Sequence, residues 1–129
     1  MIKTYRDLIV WQKSFQLVKI TYTLTRHFPK SEIYGLVSQM QRCSVSIVSN
    51  IAEGYSRGHR QEYLQFLRVA FGSGSELETQ MLIAKELKLI SNNEFNEAFG
   101  LLTEVMKMLN VFIHKLNPSP YTLNLPLAF

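Results

Sequence analysis

The stretch from Gly35 to Gly54 constrains the fold most strongly, because its residues repeat with the period of an α-helix in three separate rows. An apolar row with helical spacing consists of Leu36, Met40, Cys43, Ile47 and Ile51. A polar row beside it consists of Gln39, Arg42, Ser46, Asn50 and Glu53. A third row is apolar again and consists of Val37, Val45, Val48 and Ala52. Apolar rows on both sides of a polar row predict a helix that is buried from more than one direction.

A helix is also predicted before this stretch, from about Arg6 to His27. Its apolar residues have the spacing of a heptad seam that faces other helices, and they are Leu8, Trp11, Phe15, Val18 and Tyr22. Because Trp11 and Phe15 lie within that seam, we expect them in the core rather than in a base-stacking platform. Pro29 ends the helix, and Ser31 is the predicted N-cap of the next one.

The third predicted helix runs from about Arg60 to Leu89 and contains two glycines near its centre. Its predicted inner face consists of Tyr63, Leu67, Ala70, Leu77, Met81 and Ala84. Glycine inside a helix costs about 1 kcal/mol relative to alanine. Close approach of a neighbouring helix would explain Gly72 and Gly74, and a break in the helix at these residues is the alternative.

The fourth predicted helix follows a turn and cap at Ser91-Asn92-Asn93-Glu94 and ends at Asn117-Pro118. Its apolar row is Phe95, Phe99, Leu102, Met106, Leu109, Ile113 and Leu116. Four helices joined by short connections predict an all-α fold, an antiparallel up-down-up-down four-helix bundle in one domain of residues 1–117. Residues 118–129 form a tail with alternating apolar residues, and it either lies extended along the bundle or a neighbouring subunit, or is disordered.

Cysteine content and hydropathy predict a cytoplasmic protein. Cys43 is the sole cysteine of the 129 residues, so an intrachain disulfide and a cysteine metal cage are both excluded, which suits a reducing compartment. No stretch approaches the roughly 20 consecutive apolar residues that span a bilayer. We therefore expect no membrane association.

The net charge of +4 is concentrated in the first helix. Residues 1–30 contain six basic residues and one acidic residue, whereas residues 76–129 contain four basic and six acidic residues. This asymmetry favours an anionic partner on one side of the molecule, and an ordinary solvated surface is the alternative. The candidate RNA- or DNA-binding residues are Arg6, Lys13, Lys19, Arg26 and Lys30.

No pattern of catalytic residues is found. Carboxylate di-iron bundles require Glu-x-x-His pairs, and the residues three before the histidines are Leu24, Ser56 and Val111. Cys43 lies on an apolar row and is expected to be a core residue rather than a nucleophile. The sequence therefore predicts a protein that is not an enzyme and that has no metal and no cofactor.

The polar row of the second helix is expected to contact the third helix. With a turn centred near residue 57 or 58, Arg42 comes level with Ser73 and Glu76. We name the whole set the polar seam, and it consists of Gln39, Arg42, Ser46, Asn50, Glu53, Ser73 and Glu76. Because buried charges need partners, Arg42 is predicted to pair with Glu76, within one chain or across a subunit boundary. An ordinary exposed polar stripe is the alternative.

Seven segments of this chain match, in order, the motifs of a known family. The segments are Tyr5–Trp11, Phe28-Pro29, Tyr34–Gln39, Arg42–Ser46, Asn50–Gly54, Tyr63–Leu67 and Gly72–Glu78. Together they resemble the four-helix-bundle proteins named for reading frames inside intervening sequences of bacterial 23S ribosomal RNA genes. The resemblance covers about residues 5–116, and it departs from the family at Gly74, where a larger residue is expected.

The resemblance implies a homopentameric, barrel-like ring, because relatives assemble in this way. A related protein is the accessory variability determinant of diversity-generating retroelements, which binds nucleic acid and a reverse transcriptase through a basic surface. The leading hypothesis is therefore a non-enzymatic homo-oligomer that binds RNA or DNA. A protein–protein scaffold is the main alternative, and a small-molecule or metal-binding bundle is a third.

Overall fold

A computed structural model of the chain describes residues 1–117, which form four α-helices. They are α1 (Ile9–Thr25), α2 (Ser38–Arg57), α3 (Arg60–Glu86) and α4 (Asn92–Leu116). No strand occurs within residues 1–117, so the predicted all-α fold with four helices is confirmed for this part of the chain. The predicted tail at 118–129 lies outside the described residues.

The helix ends follow the predicted caps at α4 but not at α2. At α4 the Ser91 hydroxyl accepts from the Glu94 amide at 3.1 Å, and the Ser91 amide donates to the Glu94 carboxylate at 3.0 Å. Ser31 makes no such cap, because it lies inside a tight turn, Lys30–Glu32, closed by the Glu32 amide. A π-helical turn, Ile33–Val37, follows, and α2 begins only at Ser38.

The connection between α2 and α3 consists of two residues. α2 continues through Gly54 to Arg57, and only Gly58 and His59 join the two helices. Gly58 has a φ of 76°, a left-handed conformation that glycine adopts without steric cost. The contacts between the helices differ from the predicted ones by about one helical turn, so that Ser46, rather than Arg42, lies level with Ser73.

α3 is continuous through its two glycines, so the alternative of a break is wrong. Gly74 is buried, and a methyl group there would overlap the Met106 side chain of α4. Close packing of a neighbouring helix therefore explains Gly74, as predicted. Gly72 faces the other way and has no described atom within 4 Å of where its Cβ would lie.

α1 buries a different face from the predicted heptad seam. Its buried residues are Val10, Ser14, Leu17, Thr21, Leu24 and Thr25. The hydroxyls of Ser14, Thr21 and Thr25 each donate to the backbone carbonyl four residues earlier, at 2.6 to 2.8 Å. Because these bonds satisfy the hydroxyl donors, the polar residues are tolerated in the core, and the aromatic residues of the predicted seam lie nearer the surface.

The remaining core agrees closely with the predicted faces. α2 buries Met40, Cys43, Ile47 and Ile51. α3 and α4 contribute Leu67, Ala70, Leu77, Met81, Ala84, Phe95, Leu102, Met106 and Leu109. Within the described part of the chain, no helix has the length and apolar character needed to cross a bilayer.

Candidate nucleic-acid interface

The outward face of α1 combines two basic and two aromatic side chains. Phe15, Lys19, Tyr22 and Arg26 are spaced by four, three and four residues, so they share one side of the helix. Phe15 remains 46% exposed and Tyr22 41% exposed, and both basic residues are exposed. We call these four residues the α1 face. Basic groups can contact phosphates, and exposed aromatic rings can stack on bases.

Aromatic contacts hold one end of this face in place. The ring of Trp11 is stacked on Phe15 with centroids 5.2 Å apart, and Tyr5 meets Trp11 edge-on at 5.3 Å. The Arg6 guanidinium lies 5.9 Å from the Tyr5 ring centroid. One face of the Phe15 ring therefore packs against Trp11, and the other side of the ring is open to solvent.

Lys13 does not share the spacing of the α1 face, and it is paired with an acidic residue. Its ammonium lies 2.6 Å from the Glu104 carboxylate of α4. Lys13 is only half-buried, so the pair contributes about 0–1 kcal/mol to stability. The pair nevertheless offsets the charge of Lys13, which makes it a weaker phosphate ligand than a lysine without an acidic neighbour.

Lys19 borders an open groove of about 330 Å³ between α1 and the start of α4. Glu94 and Glu97 lie on the other side of this groove. The backbone amide of Ser91 holds the pKa of the Glu94 carboxyl below its usual value. Lys19 thus has acidic residues on one flank and the aromatic residues of the α1 face on the other.

The five predicted basic residues do not form one cluster. Lys19 and Arg26 lie two turns apart on the same side of α1, about 10 Å along the axis. Arg6 lies before α1 in a short 3-10 turn, and Lys30 lies after it in another. The structure therefore brings together Lys19 and Arg26 and separates the other three. Nucleic-acid binding by any of them stays a prediction.

Two aromatic residues of this surface were missed by the sequence reasoning. Phe15 and Tyr22 were assigned to the core because they continue a heptad pattern with Trp11. The signal that identifies them is their spacing of four and three residues around Lys19, which places aromatic and basic residues alternately on one side. A row of residues that packs in the core would not have Lys19 at its centre.

The polar seam contains one hydrogen bond between α2 and α3. It joins the Ser46 and Ser73 hydroxyls, which lie 2.8 Å apart. The Asn50 amide group donates to the Ser46 carbonyl at 2.7 Å and to its hydroxyl at 3.1 Å. Glu53 instead binds Arg57 of its own helix at 2.8 Å. The serines and Asn50 at the centre of the seam are therefore half-buried and bonded to neutral groups, whereas its charged residues are exposed.

The predicted pairing of Arg42 with Glu76 within one chain is wrong. The Cys43 thiol, rather than Arg42, approaches the Glu76 carboxylate, at 3.7 Å. Arg42 lies one residue earlier, about 100° around the helix, and it is exposed with no hydrogen bond or ion pair among residues 1–117. The pairing across a subunit boundary is not tested by a single chain.

Cys43 is positioned as a core thiol. Burial raises the pKa of the Cys43 thiol, and a hydrogen bond from Gln80 lowers it to a smaller extent. The Gln80 amide nitrogen lies 3.6 Å from the sulfur. The thiol is therefore kept protonated at neutral pH, which is the opposite of what a nucleophile requires.

Residues 1–117 contain no group of three or more His, Cys, Asp or Glu side chains that could hold a metal ion. Within the same range, open grooves lie on the surface, such as the one beside Lys19. The surface features that remain as candidate sites are therefore the α1 face and the polar seam.

Comparison with solved structures shows the same fold in another protein. That protein, of unknown function, is from the S23 ribosomal protein family of Bacteroides thetaiotaomicron, and the match has a TM-score of 0.74 with 21% identity. The match covers 82% of this chain and 96% of the other. No curated protein matches the chain. Residues 6–111 match the family model of the 23S rRNA-intervening sequence protein, and the chain therefore belongs to that family.

Proposed function

We propose that this protein is a non-enzymatic, cytoplasmic homo-oligomer that binds RNA or DNA through the α1 face. The observation that carries the proposal is the position of Lys19 and Arg26 beside the exposed rings of Phe15 and Tyr22. Neither basic group forms an ion pair with the residues that the structure describes. Two unpaired cations and two open rings suit a phosphate backbone with unstacked bases.

The proposed subunit is an antiparallel up-down-up-down bundle, and five subunits form a ring. Contacts between α2 and α3 support the antiparallel order, because Cys43 meets Glu76, Ser46 meets Ser73 and Gly54 meets Phe66. The pentamer rests on the resemblance to ring-forming relatives. A ring would present the α1 face five times, and repeated weak contacts would give higher avidity than one copy.

The experiment is a titration of structured RNA and of duplex DNA at two salt concentrations. Phosphate binding weakens with salt, and the slope reports how many phosphates are neutralised. We expect Lys19→Gln and Arg26→Gln each to weaken binding and to reduce the slope by about 1. Lys107→Gln is the matched control, because it removes one exposed positive charge from α4. Absence of binding to the wild-type protein at low salt would refute the proposal.

A protein–protein scaffold is the second candidate, and exposed apolar residues on and directly after α3 favour it. Val69 and Ile83 of α3 and its capping residue Leu87 are each more than two-fifths exposed. Isolated exposed apolar residues are common, but these lie on one flank of the same helix. A partner retained by the protein after nuclease treatment, together with loss of that partner in Ile83→Lys, would support the scaffold over the nucleic-acid binder.

A further inference from the structure

An open groove of about 360 Å³ lies between α2 and α3, next to the polar seam. We call it the α2–α3 groove, and it is lined by Gln39, Ser75, Glu76, Thr79, Gln80 and Ile83. Its polar side chains come from both helices, and the Cys43 thiol connects two of them through contacts to Glu76 and Gln80. The groove is therefore part of the hydrogen-bonded contact between the helices and is not an apolar gap.

The groove has an excess of hydrogen-bond acceptors. Glu76 is exposed, and no cation among the described residues pairs with it. Gln80 is only 6% exposed, and its amide nitrogen is used by the Cys43 sulfur. The Gln80 carbonyl oxygen is buried without a hydrogen-bond donor from residues 1–117. A buried acceptor without a donor is uncommon in native proteins, where a water molecule, a ligand or a partner usually supplies one.

A guanidinium is the chemical group that suits these acceptors best. It is planar, always charged and carries five N–H donors, so it binds a carboxylate through two bonds and has donors left for an amide oxygen. An anionic ligand would be repelled by Glu76. A single metal ion would find one carboxylate and one amide, which is fewer ligands than such sites usually provide.

We propose that the α2–α3 groove receives the Arg42 side chain of a second copy of this chain. Arg42 is exposed on α2 and makes no hydrogen bond or ion pair with residues 1–117. Its neighbours on the same side of α2 include Ser38 one turn before it, Val45 one turn after it and Ser49 two turns after it. These side chains are small, and Val45 is 39% exposed, so a neighbouring subunit can approach the helix closely around Arg42.

The inference rests on the self-assembly proposed above and adds the side-chain pair that joins two copies. Repetition of such a contact from copy to copy closes a ring when the rotation between subunits permits it. Arg42 and the acceptors of the α2–α3 groove would then find hydrogen-bond partners only in the assembled protein.

The test is a charge exchange followed by native mass spectrometry. Arg42→Glu and Glu76→Arg each place like charges together, so each variant alone is expected to dissociate into smaller species. The double variant R42E/E76R restores opposite charges and is expected to assemble. Arg68→Glu is the matched control, because Arg68 is an exposed arginine of α3 outside the groove. Circular dichroism of each variant establishes that the helices remain folded.

Mixing the two single variants separates pairing between chains from pairing within a chain. When Arg42 contacts Glu76 of another copy, a mixture of R42E and E76R forms species that contain both chains, beginning with a dimer of one of each. A closed ring of five from this mixture retains one like-charge contact, so the readout is the presence of mixed species rather than a complete ring. Assembly of the double variant without any mixed species would show pairing within one chain and would overturn the inference.

Two further results distinguish this inference from the proposed function. A wild-type oligomer that both single variants leave intact would overturn the inference, while the proposed homo-oligomer would stand. A monomeric wild-type protein would overturn the inference and the proposed self-assembly together. Nucleic-acid binding by the α1 face is measured separately and does not depend on either result.

Discussion

Gly74 of α3 packs directly against the Met106 side chain of α4, so that a methyl group on Gly74 would overlap the Met106 sulfur. The same helix carries Gly72 two residues earlier, where the surrounding space is open among the described residues. The two glycines share one helix and one residue type, and they differ in their surroundings. They therefore separate the effect of packing from the effect of helix propensity.

We expect Gly74→Ala to lower the free energy of unfolding and Gly72→Ala to raise it. The added methyl at Gly74 forces Met106 to move, and overpacking costs about 1–3 kcal/mol, which exceeds the gain of about 1 kcal/mol from removing a helical glycine. At Gly72 only the gain in helix propensity applies, because the added methyl meets no neighbouring atom among the described residues. Urea unfolding of both variants measures the difference, and an equal rise in stability for the two would contradict the packing argument.

Glu104→Gln is expected to leave the salt slope of nucleic-acid binding unchanged, although it releases the Lys13 ammonium from the ion pair with Glu104. Lys13 lies outside the α1 face, so its release adds no phosphate contact there. For the same reason, Lys13→Gln in the wild-type background should have a smaller effect than Lys19→Gln. A slope that steepens by about 1 in Glu104→Gln would show that the bound nucleic acid also reaches Lys13.

Cys43 is expected to react slowly with thiol reagents in the native protein. Burial raises the pKa of the thiol above the value of an exposed cysteine, so little thiolate exists near pH 8. Reaction rates followed against pH, with the urea-unfolded chain as control, test this. A native rate equal to that of the unfolded chain would mean that the thiol is exposed and ionises normally.

The raised pKa of the Cys43 thiol also makes the stability of the protein depend on pH in the alkaline range. A pKa that is raised in the native state contributes stability below the unfolded pKa, about 8.5 for cysteine, and this contribution is lost as the pH rises through the native value. Burial also raises the pKa of Tyr63. The difference between wild type and Cys43→Ser across this pH range therefore isolates the contribution of the thiol.

Glu94 is expected to make the protein acid-sensitive through the cap of α4. The Ser91 backbone amide lowers the pKa of the Glu94 carboxyl from its usual value of 4.5. The stability that this pKa shift contributes is therefore present above about pH 4.5 and is lost as the pH falls through the lower native pKa. Glu94→Gln keeps the hydrogen bond and should flatten this acid dependence. Ser91→Ala should cost about 1 kcal/mol at neutral pH.

Lys88→Gly is expected to stabilise the protein by about 1 kcal/mol. Lys88 has a φ of 59°, which is the left-handed region where residues with a Cβ are strained. It follows α3 in a capping arrangement, in which the Lys88 amide donates to the Lys85 carbonyl and the Leu89 amide to the Ala84 carbonyl. Lys88→Ala, which keeps the Cβ, is the control and should give no comparable gain in thermal unfolding.

The sequence predicted α4 well and α1 poorly, for one physical reason. Phe95, Leu102, Met106 and Leu109 repeat with a clean apolar period, and the structure buries all four. In α1 the buried face contains serine and threonine, whose hydroxyls bond to their own helix. A pattern based on hydropathy counts such residues as polar and rotates the predicted core face towards the aromatic residues. The exposed rings of the α1 face were hidden by the same error.

The contact between α2 and α3 was predicted as a polar one but at the wrong residues. The prediction placed the turn at residue 57 or 58, and the structure places it at Gly58 and His59. In an antiparallel pair a turn one residue later shifts the opposed residue by two, so this difference accounts for about half of the change from Arg42 to Ser46 opposite Ser73. Sequence alone does not specify where a glycine ends a helix, because Gly54 is helical here and Gly58 is not.

Trp11 provides an optical signal for the proposed binding surface. It is the single tryptophan of the sequence, and its indole is stacked on Phe15, one of the rings of the α1 face. Tryptophan fluorescence therefore originates from one position on α1. Quenching of this emission would follow ligand binding, and a shift of its wavelength would follow the undocking of α1, both in the unlabelled wild-type protein.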